Sequence, residues 1–284
     1  MTQDLMKKLF FALGLSVLVA CCSRNSSIKQ EEHANKNDTV SSIVCSENAS
    51  TKQDEHVNRK DPISSIPSIG HITTERTIGL TLYFPHSYTI GFVCGTRPSE
   101  TDSSIIYCAE AAFTGKCLNN FDHFNIAGNH VSNGKLYHGY PLKTNSGAFV
   151  YYNGKWKFLY SSYAGELKNA ANNGGMGFGQ NMIIYNGNAK KLLRKDKPLN
   201  IYRALCETKE GMLCIIESDS LLRYSDFVQR LSSIQVKHAL YLDMGGGWNY
   251  SWYRDSLDQF HELHPKRSWS KYQTNWIVFR KSSM

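Results

Sequence analysis

The sequence predicts an α+β fold: a single domain over residues 69–284, built on a mixed, largely antiparallel, twisted β-sheet with few helices. Three observations carry this. Short runs rich in β-branched and aromatic residues recur through the last two thirds of the 284-residue chain. Turn residues separate them, and only one segment has a clear helical period.

In chain order the strand-like runs are RTIGLTLYF (76–84), GAFVYYN (147–153), KWKFLY (155–160), NMIIYN (181–186), NIYRALC (200–206), MLCIIES (212–218), HALYLD (238–243) and TNWIVFRK (274–281). Asn153-Gly154 and Asn186-Gly187 mark turns. Lys209-Glu210-Gly211 reads as a three-residue hairpin loop that sets Cys206 opposite Cys214. The helical segment is SDFVQRLSSIQ (225–235), with Ser225 as its cap and Phe227, Val228, Leu231 and Ile234 on one face. Weaker helical patterns cover residues 105–112 and 167–171. A helix between two strands allows a crossover, hence the mixed sheet.

The N-terminus predicts export. Lys7 and Lys8 precede the apolar core LFFALGLSVLVA, too short to span a bilayer as a mature helix. Leu18-Val19-Ala20-Cys21 resembles the lipobox of bacterial lipoproteins, which makes Cys21 the lipid anchor and residues 1–20 a signal peptide. Residues 21–68 are polar and without period, a disordered tether. The expected location is the periplasmic or cell-surface side of an outer membrane, with membrane contact through Cys21.

Residues 1–70 hold eight Lys or Arg and eight Asp or Glu, so the net charge of +8 belongs to residues 71–284. A basic exported domain suits a phosphorylated substrate better than nucleic acid, and no nucleic-acid partner is expected. No Cys-x-x-Cys or His-x-x-x-His spacing is present, so neither a metal nor a cofactor is expected. The five cysteines after residue 70 leave at least one thiol unpaired within the domain.

Chemistry concentrates in YLDMGGGWNYSWYRD (241–255). A strand delivers Asp243 to its end. Gly245, Gly246 and Gly247 then let backbone approach a ligand, and Trp248, Tyr250, Trp252 and Tyr253 offer flat faces that suit sugar rings, with Asn249 between them. Considered alone, Arg203 reads as the end of an outward strand face and Glu217 as a solvated turn residue.

Three stretches together, FNIAGNHVSNGKLYHGYPL (124–142), IYRALCETKEGMLCIIES (201–218) and ALYLDMGGGWNYS (239–251), resemble in order the motifs of the phosphodiester glycosidase (uncovering-enzyme-like) family. The chain departs from that pattern where Met244 separates Asp243 from the glycines, and where Trp248 replaces a small hydroxyl residue. The resemblance implies a glycosidase of a divergent bacterial branch that hydrolyses a sugar 1-phosphodiester to free sugar and a phosphomonoester. It assigns catalysis to Asp243 and Arg203, the arginine gripping phosphate in a bidentate fork, with Glu217 a possible second carboxylate. Asn125, Gly128 and Asn129, together with Gly245–Gly247, Trp248, Asn249 and Trp252, would hold the substrate. The alternative is a lipid-anchored, non-catalytic glycan-binding protein of the same fold.

Overall fold

The computed structural model describes residues 70–114, 123–139, 142, 146–191, 199–245 and 249–282, all within one compact unit, Pro62–Met284. Residues 1–69, on which the expected signal peptide, the Cys21 anchor and the expected tether fall, lie outside the described residues, as do Gly246, Gly247 and Trp248.

The described part opens with a hairpin, β1 (His71–Thr77) and β2 (Leu80–His86), where the sequence predicts one strand over 76–84. Ile78 at φ 41° and Gly79 at φ 71° make the turn. The glycine could have signalled it; a β-branched residue in the left-handed region could not. There follow β3 (Tyr88–Cys94), β4 (Ile105–Glu110), β5 (His130–Ser132), β6 (Lys135–Tyr137), β7 (Ser146–Tyr152), β8 (Lys155–Tyr160), α1 (Ala164–Asn172), β9 (Met176–Tyr185) and the two-residue β10 (Asn188–Ala189). The C-terminal half adds β11 (Arg203–Glu207), β12 (Leu213–Ser218), α2 (Tyr224–Ser233), β13 (His238–Leu242), β14 (Ser251–Arg254), β15 (Phe260–His264) and β16 (Asn275–Lys281).

Two expectations change. Residues 105–110 form a wholly buried strand, not a helix. Their flanks are taken by β14 and β16, and that sheet pairing outweighs local helical propensity. Helix α2 starts at Tyr224, with Arg223 in the cap position and no side-chain cap bond, so Ser225 sits inside the helix.

Among the described residues eleven strands form one sheet, with the path β1-β2-β12-β11-β13-β9-β5-β6, and five form another, β15-β14-β4-β16-β3. Every hydrogen-bonded pair is antiparallel. The crossover through α2 joins β12 to β13, which run the same way but are separated by β11. Cys206 pairs with Cys214 as the three-residue loop predicts, and both thiols are free and buried.

Alternation divides the large sheet's faces. Tyr83, Leu205, Ile215, Leu240 and Leu242 join Phe92, Tyr107, Ile277 and Phe279 of the small sheet in one core. Leu82, Ala204, Cys206, Ile216 and Tyr241 face the other way and meet Phe227 and Leu231 of α2. Arg203 lies two residues before Leu205, so it points between the sheets. A charge placed there needs partners.

Candidate functional site

Two clusters of charge lie where the sheets meet, and Arg203 stands between them. Its guanidinium is fully buried. Nε donates to Glu217 Oε2 at 2.6 Å, and one terminal nitrogen donates to Ser251 Oγ at 2.6 Å. Glu217 Oε1 lies 2.8 Å from His264 Nε2. Burial pushes the Glu217 carboxyl up, but Arg203 and His264 outweigh it and hold it below the usual glutamate range. Glu217 is thus a core strand residue and not a solvated turn, and Arg203 faces inward and not outward. Nε and one terminal nitrogen of its fork are thus held by the protein, while Nη1 is buried without a hydrogen-bond partner among the described residues. Glu217 and His264 line a cavity of about 500 Å³ with Arg76, Tyr83 and Asp219.

The second cluster contains a residue the sequence reading passed over. Glu110 ends β4, nearly inaccessible to water. Asn249 Nδ2 donates to its Oε2 at 2.5 Å, and Thr114 Oγ1 lies 3.1 Å from its Oε1. Burial, and then the negative charge of neighbouring Asp243, push the Glu110 carboxyl well above its ordinary value, although Arg203 partly opposes this. Two adjacent carboxyls in unequal surroundings are the arrangement that separates an acid from a base.

Asp243 follows β13 and is partly exposed. Its backbone N–H donates to Ala111 O at 3.0 Å, next to Glu110 in sequence. Gly245 N–H donates to Asp243 Oδ1 at 3.0 Å, while Asn249 Nδ2 also reaches Asp243 O at 3.1 Å. Asn249 therefore spans both acidic residues. Gly245 has φ 50°, and a Cβ there would come within 2.9 Å of Asn249 Oδ1. This glycine makes room for an amide of the protein itself.

Side-chain amides hold the backbone around these groups. Asn275 Oδ1 accepts from Ala112 N–H at 2.7 Å, and its Nδ2 donates to Ala112 O at 3.0 Å. Gln180 Nε2 donates to Ala111 O at 3.2 Å. Both amides hold the segment that follows Glu110.

Two of the expected aromatic faces, Tyr250 and Trp252, are turned into the core. Tyr250 and Trp252 are buried with Cys108, Trp276 and Val278 on the small sheet's second face. Strand alternation takes Trp252 into this core, so its ring presents no surface to a sugar. Asn125 and Asn129 lie on a loop fastened beside the site, because Ala127 N–H donates to Phe113 O and Ile126 bridges Thr114. Asn129 Oδ1 accepts from Gly139 N–H, and the residue lines a cavity of about 440 Å³ with Ser146 and Tyr163. Gly128, at φ 81°, gives its carbonyl to His130 Nδ1.

No protein-family model and no curated protein matches the chain. Among solved structures it is similar to the catalytic domain of zebrafish N-acetylglucosamine-1-phosphodiester alpha-N-acetylglucosaminidase, auto-inhibited by its pro-peptide. The identity is 12%, over 78% of this chain and 85% of that one, at a TM-score of 0.47. It is also similar to a hypothetical protein from Synechocystis, 13% identical over 74% of this chain and 61% of that one, at a TM-score of 0.43. Likenesses this distant assign no side chain a role.

Proposed function

We propose that the domain is a glycosidase that hydrolyses a sugar 1-phosphodiester, with Glu110 and Asp243 as its working carboxyls. The observation that supports this reading is the unequal pair: Glu110 is buried and biased toward its neutral form beside the more exposed Asp243. Asp243 acts at the anomeric carbon, by activating water or stabilising the oxocarbenium-like transition state. Glu110 supplies a proton to the departing oxygen. The C–O bond at the anomeric carbon breaks, water supplies the new hydroxyl, and the phosphomonoester leaves. Arg203 contributes a buried positive charge near Glu110 that partly offsets its raised value.

The phosphodiester assignment rests on the three motifs in the sequence. A protonated acid also serves leaving groups poorer than phosphate, so simple glycosides are within reach of the same pair. The alternative is a non-catalytic glycan-binding protein, which could use neither Tyr250 nor Trp252 as a platform, since both are core residues. Export and anchoring through Cys21 belong to the proposal on the strength of the charged, apolar and Leu-Val-Ala-Cys segments. The Cys21→Ser protein should leave the membrane fraction.

The deciding experiment is incubation of the purified protein with a panel of sugar 1-phosphodiesters and aryl glycosides. Free sugar with phosphomonoester is the expected product pair. Sugar 1-phosphate would mean P–O cleavage and overturn the assignment, and so would turnover that survives unchanged in Asp243→Asn.

A further inference from the structure

Three side chains outside the carboxylate site converge from separate segments. Cys94 ends β3, His123 lies in the turn 123–125, and His130 opens β5. The sulfur and one ring nitrogen from each histidine all lie within 4.8 Å of one another. His123 Nδ1 and His130 Nε2 are 2.9 Å apart.

The surroundings orient this set. His130 Nδ1 donates to Gly128 O at 3.1 Å, which leaves Nε2 of the neutral ring with its lone pair directed at the cluster. A backbone carbonyl that fixes the far nitrogen is the usual companion of a metal-bound imidazole. In a tetrahedral zinc site, bonds of about 2.0–2.3 Å set ligand atoms roughly 3.3–3.7 Å apart. The observed set, 2.9 Å between the two nitrogens and at most 4.8 Å overall, brackets that spacing.

The loop itself needs a fastening. Phe124 at φ 49° and Asn125 at φ 57° are consecutive non-glycine residues in the left-handed region, which is unfavourable above all for the phenylalanine. Asn125 Oδ1 is buried without a hydrogen-bond partner among the described residues. Gly95 lets the loop lie on the end of β3, because a Cβ at that position would meet the Phe124 ring at 2.6 Å. We propose that Cys94, His123 and His130 bind a divalent, borderline-soft cation, with Zn²⁺ the best match, and that this ion rivets the 123–130 loop to β3. Cys94 pairs in register with Asn275, the residue that clamps Ala112. The ion thus braces the segment carrying Glu110 without joining its chemistry. A catalytic thiol is the poorer reading, because burial pushes Cys94 up to about 11, the reverse of activation.

The test is titration of the metal-stripped full chain with Co²⁺, followed by competition with Zn²⁺. One equivalent should give a thiolate-to-cobalt charge-transfer band with tetrahedral d–d absorption, and Zn²⁺ should abolish both. Cys94→Ser should lose the thiolate band. His123→Ala, at a half-exposed position, should bind on the order of 100-fold more weakly. Zn²⁺ should raise the melting midpoint of the wild-type chain but not of His123→Ala. A titration without the thiolate band, or with a band retained in both variants, would overturn the site.

Discussion

Arg203 and Glu217 face each other across β11 and β12, and both are withdrawn from water. Removing one member of such a pair strands the other charge. Glu217→Ala is therefore expected to cost about 3–5 kcal/mol, measured by urea denaturation. Arg203→Lys keeps the charge but loses the fork that serves Glu217 and Ser251, and should also register as lost stability. A fully stable Arg203→Lys protein with impaired phosphate recognition would return Arg203 to the substrate.

Glu110→Gln should fold and lose turnover according to the leaving group. With alkyl glycosides the loss should be on the order of 100-fold or more, and with phosphodiesters smaller, since a phosphate leaves with less help. Asp243→Asn should lose on the order of 100-fold on both. An equal loss across leaving groups in Glu110→Gln would remove it as the proton donor.

The pH dependence follows from the raised Glu110. An acid must hold its proton, so turnover should fall as pH rises through that raised value, and Glu110→Gln should lack this limb. For stability, the Glu110 contribution is complete below its ordinary value of 4.5 and is lost as pH rises through the folded value. Glu217 is opposite in sign: its contribution is present above 4.5 and is lost as pH falls through its lowered folded value. Denaturation midpoints of Glu110→Gln and of Glu217→Gln across pH would separate the two.

Gly245→Ala tests the bridge held by Asn249. The alanine has to keep φ near 50°, and its methyl would displace the Asn249 amide. About 1–3 kcal/mol of stability should go, along with roughly 10- to 100-fold in turnover through misplacement of Glu110 and Asp243.

Trp252→Ala distinguishes core from platform. As a core residue it should cost about 3–5 kcal/mol in denaturation, while the Michaelis constant of the folded fraction stays near wild type. A stable variant that binds sugar poorly would restore the tryptophan to the ligand surface.

Much of the fold could be read from residue pattern. The strands near 147–160, 213–218, 238–242 and 275–281 are self-evident runs, and the Lys209-Glu210-Gly211 loop fixes its register. What the pattern hides is long-range. Residues 105–110 become a strand because β14 and β16, made much later in the chain, take both of its edges. Asp243 was legible as a carboxylate at a strand end. Glu110 was not, because its importance depends on Asn249 and Asp243, more than 130 residues distant. The burial of Arg203 between Glu217 and Ser251 was not legible either, and the Cys94, His123 and His130 cluster escaped because spacing rules see only neighbours in sequence.

The small sheet carries one more consequence. The strand between β4 and β3, β16, is the last of the described strands, and in the sheet order β3 and β4 are joined through it: Cys94 to Tyr88 pair along one edge, Glu110 to Ile105 along the other. While residues 275–281 are still inside the ribosome, the two earlier strands have no common partner and expose apolar edges that invite pairing between chains. The domain closes like a zip whose slider is fitted last. A chain shortened ahead of Asn275 should collect as aggregate from the moment of synthesis, however sound the rest of its sequence.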